Sequence, residues 1–170
     1  MRNILLFTTI LILGACSDNS ADGTSGSALL TNEDETSSLA LTVYKTPTCG
    51  CCGAWVDHME NAGFSTTVHD QENLNPIKDK HKIAPANQSC HTGIIDGYVF
   101  EGHIPAHIVK RFLKEQPEDT IGLTVPGMPL GSPGMELNDR FHAYDVLLMK
   151  TDGSTSVYMH IAKPEDNKGS

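Results

Sequence analysis

The alternation of strand and helix patterns predicts an α/β fold: a central mixed sheet flanked by helices, with an added C-terminal hairpin. Three observations carry this. Short β-branched and aromatic runs alternate with stretches of helical period. Two Asp-Gly pairs, Asp96-Gly97 and Asp152-Gly153, sit between apolar runs as hairpin turns. A chain of 170 residues has room for one domain with a sizeable core.

The elements follow in order. Leu39 to Thr46, LALTVYKT, reads as a strand that Pro47 and Thr48 break. From Gly50 the pattern turns helical, with Trp55, Val56, Met59 and Ala62 on one face and Gly63 as the stop. FSTTVHD, Phe64 to Asp70, is a second strand, and NLNPIKDKHKI holds a short helix starting near Asn75 or Pro76. HTGIIDGYVFEGH gives two strands about Asp96-Gly97. The next helix starts at Pro105, with Ile108, Val109, Phe112 and Leu113 as its apolar face. GLTVPGMPLGSPGME, rich in glycine and proline, reads as a loop throughout. YDVLLMKTDGSTSVYMHI closes the domain as a hairpin about Asp152-Gly153.

The ends carry different signals. Ile4 to Leu13 is apolar, too short to span a bilayer as a mature helix, and reads as a secretory signal over residues 1–15. LGAC, ending at Cys16, resembles a bacterial lipoprotein box. That resemblance implies acylation of Cys16 and a lipid anchor; Ser17 after it resembles the sorting pattern for the outer membrane. Residues 16–38 are polar and read as a flexible tether. The folded domain is expected over residues 39–163, with a polar, frayed tail over 164–170. A formal net charge of −9 offers no basic stripe and argues against nucleic acid.

TPTCGCCGAW, Thr46 to Trp55, holds the chemistry. Cys49, Cys51 and Cys52 fall within four residues. They stand where the first strand meets the first helix. Unpaired N–H groups and the dipole at a helix start favour thiolates. Export out of the reducing cytosol would also permit disulfides. The arrangement resembles thioredoxin-like folds, which carry a reactive C-x-x-C at that place. In a plain thiol–disulfide oxidoreductase Cys49 would be the nucleophile and Cys52 the resolving thiol, and Cys51 has no role. The resemblance also implies a cis-proline before the third strand, where this chain has Cys90 and His91. The other reading takes Cys49, Cys51, Cys52 and Cys90 together as soft thiolate ligands for Cu(I), zinc or iron–sulfur centres. The spacing lacks the two C-x-x-C knuckles of a zinc ribbon. Three sulfurs on one turn suit bridging thiolates and several metal ions.

Further candidate ligands are His91, His103 and the loop methionines Met128 and Met135; His142 is a weaker one. His58, His69, His81, His107 and His160 read as surface or capping residues, and Met59 and Met149 as core.

TPTCGCCGAWVDHMENAGF, SCHTGIIDGYVFEGHIPAHIVKRFL and GLTVPGMPLGSPGME together resemble the CopG-type periplasmic copper-resistance proteins, a family also classed as a domain of unknown function. The likeness runs from Leu41 to about Ile161. It implies a thioredoxin-like fold that holds copper through Cys49, Cys51, Cys52 and Cys90. His103 and the Met128/Met135 loop lie within the family motifs. Thr48 stands where the family implies a larger residue, often Trp. The expected function is binding of copper, as Cu(I) and in several ions, in periplasmic copper resistance, with Cu(I)/Cu(II) interconversion as a copper oxidoreductase activity. Periplasmic copper proteins are the expected partners. Two alternatives remain: a thiol–disulfide oxidoreductase or copper-site maturation factor, and a passive zinc or copper buffer.

Overall fold

The computed structural model describes residues 39–169. The predicted signal, tether and Cys16 lie outside the described residues. The elements are β1 (Leu39–Lys45), α1 (Gly50–Asn61), β2 (Phe64–Asp70), α2 (Asn75–Lys80), β3 (His91–Ile95), β4 (Tyr98–Glu101), α3 (Ala106–Glu115), β5 (Thr120–Thr124), β6 (Tyr144–Lys150) and β7 (Thr155–Ile161). All seven strands form one mixed sheet in the order β2-β1-β3-β4-β5-β6-β7. The β1/β2 and β4/β5 pairs are parallel, and the remaining neighbours are antiparallel.

Alternation explains how the sheet is covered. Leu41 and Val43 of β1 are buried, as are Phe100 of β4 and Leu123 of β5. They pack with Trp55, Val56 and Met59 of α1 and with Ile108, Val109 and Phe112 of α3 in the main core. A smaller cluster of Ile83, Val99 and Met149 forms where Val99 points to the opposite side from Phe100. The apolar spacing read on α1 and α3 is thus the buried face of each helix.

Three expectations are corrected. The segment starting at Gly122 is not loop throughout: Gly122, Leu123 and Thr124 belong to β5, paired with Val99, Phe100 and Glu101. Gly122 is required there. Its φ is +143°, and a Cβ would lie 1.8 Å from the carbonyl oxygen of Val99. Its glycine and the nearby Pro126 mimic loop composition, while the contact that demands the glycine is long-range. The C-terminal hairpin therefore continues the central sheet through β5. The tail is not frayed over its whole length. Pro164–Asn167 form a 3₁₀ turn, the Tyr144 hydroxyl donates to Asn167 Oδ1 at 2.5 Å, and Asn167 Nδ2 donates to the Gly131 carbonyl at 2.6 Å. Helix α3 begins one residue later than read, with Pro105 as its N-cap.

Candidate metal centre

Cys49 is the N-cap residue of α1, and Cys51 and Cys52 lie in its first turn. Pro47 ends β1 and the chain turns at once, with Cys49 N–H donating to Thr46 O at 3.1 Å. The three sulfurs thereby sit at the positive end of a helix of 12 residues. Cys90 arrives from the other side, immediately before β3. The ligand atoms of Cys49, Cys51, Cys52 and Cys90 all lie within 4.8 Å of one another. Cys49 and Cys52 are joined as a disulfide, and Cys51 and Cys90 are free thiols. Cys49 Sγ lies 3.5 Å from Cys51 Sγ.

A second group overlaps the first at Cys90. Cys90, His91 and His103 also offer ligand atoms within 4.8 Å of one another. Cys90 Sγ is 3.3 Å from His91 Nδ1 and 3.0 Å from His103 Nε2. His103 Nδ1 lies 2.8 Å from the Pro133 carbonyl, which can only accept. That contact places the proton on Nδ1 and leaves the Nε2 lone pair facing Cys90. Burial holds both imidazoles below their ordinary pKa, His91 strongly so, with His103 and Lys78 adding to the effect on His91. Neutral imidazole is the form that ligates metal. Burial, and then the neighbouring Cys51, push the Cys90 thiol up to about 12. A metal binding here would therefore have to displace the Cys90 proton. His91 Nε2 is buried without a hydrogen-bond partner among the described residues.

The glycine-proline loop folds over the cysteine turn. Gly134, at φ +82°, packs so closely that a Cβ would lie 2.6 Å from the Cys51 carbonyl oxygen and 2.8 Å from Trp55 N. The neighbouring Pro133 supplies the carbonyl that holds His103. Met128 is 53% exposed and Met135 is half-buried in this cover. Trp55 is fully buried, with its ring centroid 4.3 Å from that of His91 and its Nε1–H donating to Ile104 O at 2.9 Å. The structure thus brings together the four cysteines, His91 and His103, and lays the methionine loop beside them.

The other histidines do other work. His58 Nε2 accepts the Ala106 N–H at 3.0 Å and caps α3, where Pro105 offers no side-chain cap. His69 stacks on Tyr44, and His160 pairs with Asp145. His142 is exposed. Met59 and Met149 are core.

Sequence reading missed the buried polar network behind Cys90. Glu101, fully buried, accepts from Lys78 Nζ and from Ser89 N–H (2.7 Å) through Oε1, and from the Thr92 hydroxyl (2.6 Å) through Oε2. Lys78 is also buried and donates to Thr92 Oγ1 at 3.2 Å. One signal was available. Glu101 stands two residues after Val99 and so shares its buried face.

A family model described as a protein of unknown function, DUF411, matches residues 87–135. Two solved structures of a copper resistance protein CopG, form 1 and form 2, are each 40% identical to the chain, with a TM-score of 0.69. Each comparison covers 73% of this chain and 98% of the other. The chain belongs to the CopG family of copper resistance proteins. A search of curated proteins returned no match. The family motif of residues 87–135 spans Cys90, His91, His103 and the methionine loop. Three of the four clustered cysteines lie before it, on the β1–α1 turn.

Proposed function

We propose that this chain binds copper as Cu(I) in a thiolate cluster built on Cys49, Cys51, Cys52 and Cys90, in periplasmic copper resistance. The observation that carries the reading is the convergence of four cysteine sulfurs within 4.8 Å on one helix start. That spacing lets one thiolate bridge neighbouring ions, and thiolate is the donor that selects Cu(I). The donor set fits: His103 Nε2 and His91 Nδ1 add neutral imidazoles at its edge. Imidazole also accepts Cu(II), so the mixed set supports interconversion of the two states. Met128 and Met135 add thioethers in the covering loop as further soft donors. The fold reads as thioredoxin-like, supported by the β2-β1-β3-β4 order with α1 following β1 and α3 following β4.

Loading requires free thiols. Reducing the Cys49–Cys52 disulfide takes two electrons and two protons and raises the number of thiols at the site from the two free ones to four. Disulfide and full cluster are therefore mutually exclusive states. Anaerobic titration of the reduced protein with Cu(I), against a chromophoric competitor, tests the reading. Cys51→Ser and Cys90→Ser should each lower stoichiometry or affinity. Full loading by both variants would reject the cluster.

The disulfide itself favours a second reading, a thiol–disulfide oxidoreductase with Cys49 as nucleophile. In that case Cys49→Ser and Cys52→Ser abolish exchange with a model dithiol while Cys51→Ser and Cys90→Ser do not.

The site is placed at a membrane surface by a lipid on Cys16, a part of the proposal supported by the LGAC box and the polar stretch after it. No helix among the described residues is long and apolar enough to cross a membrane. Two or more acyl chains anchor stably where one does not. Cys16→Ser should release the protein from membranes; unchanged membrane retention and mass would reject the anchor.

A further inference from the structure

We infer that the buried Glu101–Lys78 pair is a positioning device for the metal centre, setting where Cys90 stands by gripping the residues on either side of it. The inference rests on the copper-thiolate reading for its consequence, and on geometry alone for its cause.

Cys90 has no secondary structure of its own. It lies between the 3₁₀ turn Pro85–Asn87 and the start of β3. The Glu101 carboxylate takes the Ser89 N–H on one oxygen and the Thr92 hydroxyl on the other. Those donors bracket Cys90 and His91. Ser89 is held a second time, its hydroxyl donating to Gly127 O in the methionine loop. Glu101 also ends β4, so the chain reaches His103 two residues later, and Gly102 N–H donates to His91 O at 3.0 Å. The carboxylate thereby fixes the Cys90 side of the 3.0 Å Cys90–His103 contact, while the Gly102–His91 backbone bond and the Pro133 carbonyl hold the His103 side. Lys78, reaching in from α2, is the cation that lets this carboxylate stay charged while buried. A core that needed only stability would be served as well by apolar residues, since replacing a buried pair by them is often neutral. Lys78 and Glu101 are not metal ligands here; they act through Cys90.

Two double variants separate positioning from stability. Lys78→Met/Glu101→Gln removes both charges and keeps an acceptor for the Ser89 N–H. Lys78→Met/Glu101→Leu removes both charges and the acceptor. The first readout is the ratio of Cys90 to Cys51 alkylation by iodoacetamide in reduced, metal-free protein, followed by peptide mass spectrometry. The second is Cu(I) affinity by competition, with melting temperature as the control. The Gln variant should keep both within about threefold of wild type. The Leu variant should shift the alkylation ratio and weaken Cu(I) binding about tenfold, the scale of one lost hydrogen bond to a charged acceptor. If the Leu variant fails to fold, Thr92→Val decides, since it removes one grip at constant shape; it should move the alkylation ratio in the same direction. A shifted ratio in protein that binds no copper would support the positioning and reject the copper reading. Equal ratios in both double variants, or an unmoved ratio in Thr92→Val, would overturn the inference.

Discussion

Replacing Gly134 by Ala tests whether the glycine-proline loop is clamped on the cysteine turn. Gly134 has φ +82°, where an L side chain costs about 1–2 kcal/mol. Its new Cβ would meet the Cys51 carbonyl oxygen at 2.6 Å and Trp55 N at 2.8 Å. Both are backbone atoms of α1 and cannot swing aside as a side-chain tip would. Overpacking of this kind costs about 1–3 kcal/mol. The sum is about 2–5 kcal/mol, unless the loop lifts away. Lifting would remove the Pro133 carbonyl from His103 Nδ1 and free the ring whose Nε2 faces Cys90. Gly127 in the same loop is the control: its φ is +70°, yet among the described residues nothing lies within 4 Å of where a Cβ would stand. Gly127→Ala should lose only the conformational part, about 1–2 kcal/mol. Urea unfolding of the three proteins, reduced and metal-free, measures both losses. A Gly134→Ala variant no less stable than Gly127→Ala would refute the clamp.

Other outcomes follow from the same structure. His58 caps α3 as a neutral acceptor, and burial holds its pKa below the ordinary value. Its contribution is therefore full above the unfolded value near 6.5 and is lost as pH falls through the folded one. His58→Ala should lose about 1 kcal/mol at pH 8 and show a smaller further loss between pH 7 and 5 than wild type; equal acid slopes in urea unfolding would contradict this. Asn167→Ala should cost about 1–3 kcal/mol by stranding the Tyr144 hydroxyl and the Gly131 carbonyl, and a melting temperature matching wild type would show the tail is dispensable. Replacing Met128 and Met135 together by Leu keeps apolar bulk and removes both thioethers. Cu(I) affinity should fall while Zn(II) affinity holds. Equal loss for both metals would point to damaged packing, and no loss for either would make the loop a cover alone.

Much of the fold was legible because its signals are local. β2, α2 and both Asp-Gly hairpins came from turn chemistry and period, and these need no partner to be read. β5 was hidden because its Gly122 answers to Val99, a neighbour 23 positions earlier in the chain. The tail was misread because polar composition says nothing of the carbonyl of Gly131 waiting for Asn167. In the site, the cysteine turn announced itself by density. Cys90 and His91 were legible as neighbours in sequence and His103 by its place at the start of the third helix, and their convergence on one sulfur came from the β3–β4 pairing. The Glu101 network was missed although Glu101 shares the face of Val99, because a lone Glu at a strand end and a Lys in a short helix are ordinary surface residues until topology buries them. The glycine-proline run was legible as a loop, but its packing on the cysteine turn rests on Gly134 meeting the backbone of α1, a contact that composition does not encode.

The central claim is that four sulfurs act as one copper-holding unit. Its most direct test is a paired count on one sample. The full chain is reduced, freed of reductant without oxygen, and loaded with Cu(I) to equilibrium with a competitor; then copper per chain and alkylatable thiols are measured together. The account predicts more than one Cu(I) per chain and simultaneous protection of Cys49, Cys51, Cys52 and Cys90 from alkylation, with all four recovered as thiols when copper is stripped. No retained copper, with Cys51 and Cys90 as readily alkylated as in metal-free protein, would contradict it.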